Sequence, residues 1–174
     1  AAGLPGSRDA GGRRAAAGPI EVLPERTEDM ACGMCHTSGT TGMPKAVVYS
    51  HRSTYLHAMA ACMVDALRLS EQERVLPVVP LFHACGWGLP YAAFLAGSAL
   101  LMPSKYLQPE PLAAFIAAER PTFTGAVPTS WNDVLRYADR APCRARPLHT
   151  HVFGGAARPG SVTRTVQTLT GERG

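Results

Sequence analysis

From residue 46 onward, short β-prone runs alternate with apolar segments at helical spacing, and this alternation restricts the fold more than any other feature of the chain. Strands are expected at 46–49, 75–80, 98–102, 122–127 and 149–153, and helices at 54–69, 88–96, 109–119, 128–137 and 159–169. Proline punctuates the pattern: Pro121 stops one helix, and Pro128 opens the next near its first turn. Strands joined through helices imply right-handed crossovers, so the expected class is α/β with a mostly parallel sheet flanked by helices. At 174 residues and 46% apolar composition, the chain has enough material for one sizeable core. Residues 1–19, almost wholly Ala, Gly, Arg and Pro, read as a flexible arm, leaving 20–174 as the folded part.

Composition removes several classes of function. Seventeen Lys and Arg against thirteen Asp and Glu leave a formal charge of +4 spread along the chain, which does not imply nucleic acid. The five cysteines are odd in number and irregularly spaced, so a fully paired disulfide framework is not expected and a reducing, cytoplasmic setting is. No basic segment leads into an apolar run at the N-terminus as in a secretory signal, and no initiator Met is present, which suggests a partial chain. Residues 84–102 carry no Asp, Glu, Lys or Arg, which meets the length for a membrane span, yet Pro90, Gly86, Gly88 and Gly97 interrupt them. Buried core elements, not a transmembrane segment, are expected there.

The strongest chemical signal is Thr37-Ser38-Gly39-Thr40-Thr41-Gly42-Met43-Pro44-Lys45. Glycines let backbone amides turn towards a common centre, hydroxyls supply adjustable donors, and Lys45, one of only two lysines, supplies a fixed charge. These parts suit phosphate oxygens. The stretch is not a Walker loop, because Pro44 precedes Lys45 and Ala46 follows it. Cys32-Gly-Met-Cys35-His36 formally matches a haem-attachment pattern, but it occupies the approach to the loop, and zinc would need two further ligands. Cys85 is expected to be a wall residue, and the arginines between 136 and 164 a solvated face.

Four segments in order carry a resemblance to the adenylate-forming (AMP-binding) superfamily, which includes acyl-CoA synthetases, luciferases and peptide-synthetase adenylation domains. They are the loop ending at Lys45; Val79-Pro-Leu-Phe-His83-Ala-Cys-Gly-Trp87-Gly-Leu-Pro-Tyr91; Gly125-Ala-Val-Pro-Thr-Ser-Trp131; and Val152-Phe-Gly154-Gly155-Ala156-Ala157. The second, with Trp four residues after His, is similar to the fatty-acyl-CoA synthetase branch. The resemblance implies that 20–174 is an incomplete portion of the family's large domain. It lacks the later motifs for adenine, ribose and the small C-terminal domain. His36 and Ala46 depart from the Tyr and Gly usual in relatives.

By the same resemblance, Thr37, Ser38, Gly39, Thr40, Thr41, Gly42 and Lys45 take the β- and γ-phosphates of ATP, with Thr37 touching the Mg²⁺ that ATP brings. His83 lies beside the acid's carboxylate and the α-phosphate, so Lys45 and His83 are the catalytic candidates. Trp87 borders the acyl tunnel with His83, and Gly154, Gly155 and Ala156 approach the adenine and the acid. The implied activity is ATP-dependent formation of an acyl-adenylate and then acyl-CoA from a medium- or long-chain fatty acid, with coenzyme A as co-substrate. The isolated chain is expected to be weak or inactive, since both halves of a site must position the transition state. Other readings are a degenerate nucleotide- or partner-binding remnant, whose incomplete sheet offers edges for self-association, and an aryl-acid ligase.

Overall fold

A computed structural model of the chain describes residues 25–37, 42–138 and 150–153. The arm at 1–19, the loop residues Ser38 to Thr41, the turn residues Gly154, Gly155 and Ala156, and the helix expected at 159–169 lie outside the described residues.

Strands β1 (Ala31–Thr37) and β2 (Lys45–Ser50) pair antiparallel as a separate two-stranded ribbon, from Ala31 opposite Ser50 to Thr37 opposite Lys45. A register shift between Ala31 and Gly33 leaves Cys32 as the extra residue of a bulge. The ribbon passes into helix α1 (His51–Cys62) at Ser50. The Ser50 side chain accepts from the Ser53 N–H, and the Ser53 side chain accepts from the Ser50 N–H, a reciprocal cap that starts the helix three residues before the spacing predicts. At Met63 the backbone turns extended, so the helix expected to reach residue 69 stops at Cys62.

The second sheet contains β3 (Arg74–Pro77), β4 (Ala99–Leu100), β5 (Phe123–Ala126) and β6 (Thr150–Phe153) in the order β4-β3-β5-β6, all parallel. The strand expected at 98–102 shrinks to two residues. Between β3 and β4 come a single helical turn, α2 (Ala84–Trp87), and helix α3 (Leu89–Ala96); α4 (Pro109–Glu119) and α5 (Pro128–Ala138) follow β4 and β5.

Successive strand residues face opposite sides, so each strand feeds two cores. Val75 and Phe123 join Leu89, Ala92 and Ala93 of α3 and Ala58 and Ala61 of α1. Leu76 and Ala126 join Leu112, Ala113 and Ile116 of α4 and Trp131 and Val134 of α5. The result is a helix–sheet–helix sandwich of the expected α/β class. Among the described residues no helix is long and apolar enough to cross a membrane. The charge-free stretch 84–102 is divided among α2, α3 and β4.

The topology locates a crevice. From β3 the chain moves to one neighbour, β4, by way of α3 on the first face. From β5 it moves to the opposite neighbour, β6, by way of α5 on the second face. The winding reverses between β3 and β5, and in open α/β sheets ligands settle beyond the carboxyl ends of strands at such a point.

Candidate functional site

Two parts of the expected site are described. The first is the mouth of the β1–β2 ribbon, where Thr37 and Lys45 are cross-strand partners and the Thr37 hydroxyl donates to the Lys45 carbonyl at 3.4 Å. Antiparallel pairing thus brings the two ends of the hydroxyl-rich loop together. Lys45 is exposed, and neither ion pair among the described residues uses it. Gly42 adopts φ +90°, a backbone that a larger residue rarely accepts.

The second part follows β3 into the crevice. Exposed His83 leads into α2, whose residues wind left-handed: φ is 46° at Ala84, 51° at Cys85, 62° at Gly86 and 56° at Trp87, then 69° at Gly88. Each non-glycine residue in this conformation costs roughly 1–2 kcal/mol, so the surroundings must hold the turn. They do so at several points. The His57 Nε2 of α1 lies 3.0 Å from the Trp87 carbonyl. The Gly86 N–H donates to the His83 carbonyl at 3.0 Å. Trp87 lies over Gly125 of β5, where an added Cβ would come within 3.6 Å of the indole and 2.5 Å of Leu89. Glycine at 125 therefore lets Trp87 and Leu89 seat against the end of the sheet.

Between α1, β2 and this turn lies a cleft of about 480 Å³, lined by Tyr49, His57, Cys85, Trp87 and Tyr91 among others. Burial pushes the Cys85 thiol up from 9.0, and the neighbouring Cys35 and Cys32 add to the rise while a hydrogen bond with Tyr91 opposes it. Burial also raises the Tyr91 phenol, with the Cys85 charge adding to it. Both groups are therefore neutral near pH 7, so they place no charge at this end of the cleft. A wider groove of about 1000 Å³ runs between α1 and α3, bordered by Tyr55, Leu56 and Phe94.

The structure brings Thr37 to Lys45 and Trp87 to Gly125. It joins the two parts through Cys85, whose sulfur lies against Cys35 on β1. The His83 side chain makes no capping hydrogen bond to the turn it precedes. The sequence reading missed His57 and the pairing of Cys35 with Cys85, because their partners lie 30 and 50 residues away. Only the glycines at 88, beside His57, and at 33, beside Cys85, mark in the sequence where such close approach occurs. No group of three His, Cys, Asp or Glu side chains among the described residues is disposed to hold a metal. The hydroxyl of Thr37 is a hard oxygen of the kind Mg²⁺ accepts beside phosphate.

Comparison with known proteins places this geometry. A family model described as AMP-binding enzyme matches residues 6–173. A long-chain-fatty-acid–CoA ligase of Thermus thermophilus is 47% identical over 146 residues, 84% of this chain and 26% of that one. A medium-chain-fatty-acid–CoA ligase of Ectopseudomonas oleovorans is 40% identical over 86% of this chain and 28% of that one. The chain thus spans about a quarter of the length of these curated relatives. Among solved structures, the N-terminal domain of FACL13 from Mycobacterium tuberculosis superposes with a TM-score of 0.76 at 25% identity, covering 91% of this chain and 39% of that one.

Proposed function

We propose that this chain, which belongs to the AMP-binding enzyme family, supplies the phosphate-gripping half of an AMP-forming ligase that joins a medium- or long-chain fatty acid to coenzyme A. The observation that carries the reading is Thr37 set opposite Lys45 at the mouth of the ribbon. Two ends of a glycine- and hydroxyl-rich loop held together beside an exposed cation suit a triphosphate tail. The placement of His83 and Trp87 after β3, at the winding reversal, and the names of the relatives support the acid half of the reading.

In this proposal Lys45 and the donors of 37–42 hold the β- and γ-phosphates and stabilise charge gathering on the departing pyrophosphate. His83 orients the carboxylate for attack on the α-phosphorus, giving acyl-AMP and pyrophosphate. The coenzyme A thiol then displaces AMP. Mg²⁺, carried on the phosphates, would neutralise their charge, with Thr37 as the protein oxygen beside it. Trp87 and the apolar side of the cleft exclude water and border the acyl chain. Gly154, Gly155 and Ala156 complete the proposal at the adenine and acid. The free thiols at Cys32, Cys35, Cys62 and Cys85 support a cytoplasmic location. The edges of the sheet at β4 and β6 are where self-association would occur.

Calorimetric titration with ATP tests the reading. The chain is expected to bind, and Lys45→Ala to bind at least about tenfold more weakly, the loss of one charge-assisted contact. Unchanged affinity would overturn the assignment of the loop. Acid-dependent exchange of labelled pyrophosphate into ATP is expected near background for the isolated chain, and robust exchange would overturn its description as half a site.

A further inference from the structure

We propose that Cys35 and Cys85 form a reversible thiol–disulfide site that, once oxidised, ties strand β1 to the left-handed turn α2. Their sulfurs lie 3.4 Å apart, and the Cys85 N–H donates to the Cys35 sulfur at 3.3 Å. The two residues belong to different elements and are 50 positions apart, so no local turn forces them together. A bond requires the sulfurs to approach to about 2.05 Å. Gly33, two residues before Cys35, leaves space beside the pair, since a Cβ there would sit 3.7 Å from the Cys85 sulfur. On the other side, Gly86 follows Cys85 directly. Cys32 on the bulge is engaged elsewhere, its sulfur 3.1 Å from the Thr54 hydroxyl.

Access is one-sided. Cys35 is only 5% exposed, whereas Cys85 lines the 480 Å³ cleft. A low-molecular-weight disulfide such as oxidised glutathione can therefore reach Cys85 first. The Cys85 thiolate attacks one sulfur of the reagent and releases one thiol. The Cys35 thiolate then attacks the Cys85 sulfur of the mixed disulfide and releases the second. Two protein thiols are oxidised, one reagent disulfide is reduced, and two thiols leave with the two protons. Cys35 and Cys32 on β1, Tyr91 on α3, His57 on α1 and Tyr49 on β2 are the titratable groups around this sulfur. Burial first, and then the thiols of Cys35 and Cys32, keep it protonated near neutrality against the opposing hydrogen bond with Tyr91, so exchange quickens as pH rises. The bond would fix the distance between the strand that enters the 38–41 loop and the turn that lies between His83 and Trp87. The inference rests on the sulfur geometry and not on the proposed ligase activity.

The test uses the whole chain, incubated with oxidised glutathione, alkylated and digested, with the cross-linked peptides sequenced by fragmentation to separate Cys32 from Cys35. The expected product is one dominant Cys35–Cys85 pair, with two hydrogen atoms lost from the intact mass. It should be reversed by dithiothreitol and form at least about tenfold faster in the folded chain than in guanidinium, because the fold holds the sulfurs together. Amide exchange across 84–88 is expected to slow after oxidation. Cys32→Ser should leave the product in place, and Cys85→Ser should abolish it. A persistent glutathione adduct at Cys85 with Cys35 free, a dominant pair through Cys32, equal rates folded and unfolded, or unslowed exchange would each overturn the proposal. The mapping of the unaltered chain does not depend on any variant folding.

Discussion

Replacing Gly88 with alanine sets two costs on one new atom. The residue sits at φ 69° and ψ 1°, a left-handed conformation that costs a non-glycine residue roughly 1–2 kcal/mol. Its Cβ would also stand 2.3 Å from Cδ2 and 2.5 Å from Nε2 of His57. His57 is exposed, so its ring can swing into solvent, but it then gives up its hydrogen bond to the Trp87 carbonyl, about 0.5–1.5 kcal/mol. Alanine restricts the unfolded chain and returns about 0.4–1 kcal/mol. The expected net destabilisation is about 1–3 kcal/mol, read as a lower urea midpoint at unchanged slope. In a double-mutant cycle with His57→Ala, the contact part should vanish and the backbone part remain, leaving a coupling of about 0.5–1.5 kcal/mol. A neutral Gly88→Ala would refute the left-handed turn, and a cost independent of residue 57 would refute its brace.

Gly125→Ala should destabilise by about 1–3 kcal/mol in the same denaturation assay, because Leu89, 1% exposed, has nowhere to move from the added Cβ. Trp87 fluorescence should shift with it; a silent substitution would mean that the indole does not rest there. Because burial raises the folded-state Cys85 value above 9.0, the folded chain holds its proton longer than the unfolded one. That contribution is present below pH 9.0 and lost as pH rises through the raised folded value, so stability should fall there and Cys85→Ala should flatten the decline in pH-dependent urea melts. Arg74→Ala should cost about 1–2 kcal/mol in urea melts, since it loses a partly screened ion pair with the Glu119 carboxylate at 3.1 Å and the hydrogen bond that its Nε donates to the Glu119 carbonyl at 2.9 Å. In a completed enzyme, Trp87→Ala should alter the acyl chain-length profile of the exchange reaction; an unchanged profile would count against a fatty-acyl tunnel.

What the sequence disclosed was whatever repeats along the chain. Helix α4 appears at Pro109–Glu119 as its apolar spacing and flanking Pro predict, and β5 and α5 fall within one residue of expectation. Helix α1 was misplaced because its start depends on a Ser50–Ser53 cap and its end on a backbone turn at Met63, neither of which leaves a hydrophobic period. Likewise, β4 is two residues long because it pairs only with Arg74 and Val75, a limit set by its neighbour and not by its own composition. At the site, the loop ending at Lys45 was legible from residue types. The left-handed turn was not, since three of its four residues are not glycine and only the surroundings impose that winding. His57 and the sulfur contact belong to pairs 30 and 50 positions apart, which no local pattern in the chain announces.

Among the described residues the ribbon and the parallel sheet share no ladder of hydrogen bonds, yet the proposed partners in the reaction are divided between them. Besides the contact of Cys35 with Cys85, the ribbon is held at the corner at Ser50, where the His51 N–H meets the Met30 carbonyl and Arg52 reaches Glu28 at 2.6 Å. Under the proposed function, alignment of a nucleotide tail with an acid would depend on how one plank sits on the other, and a residue at that corner would govern turnover without touching either reactant.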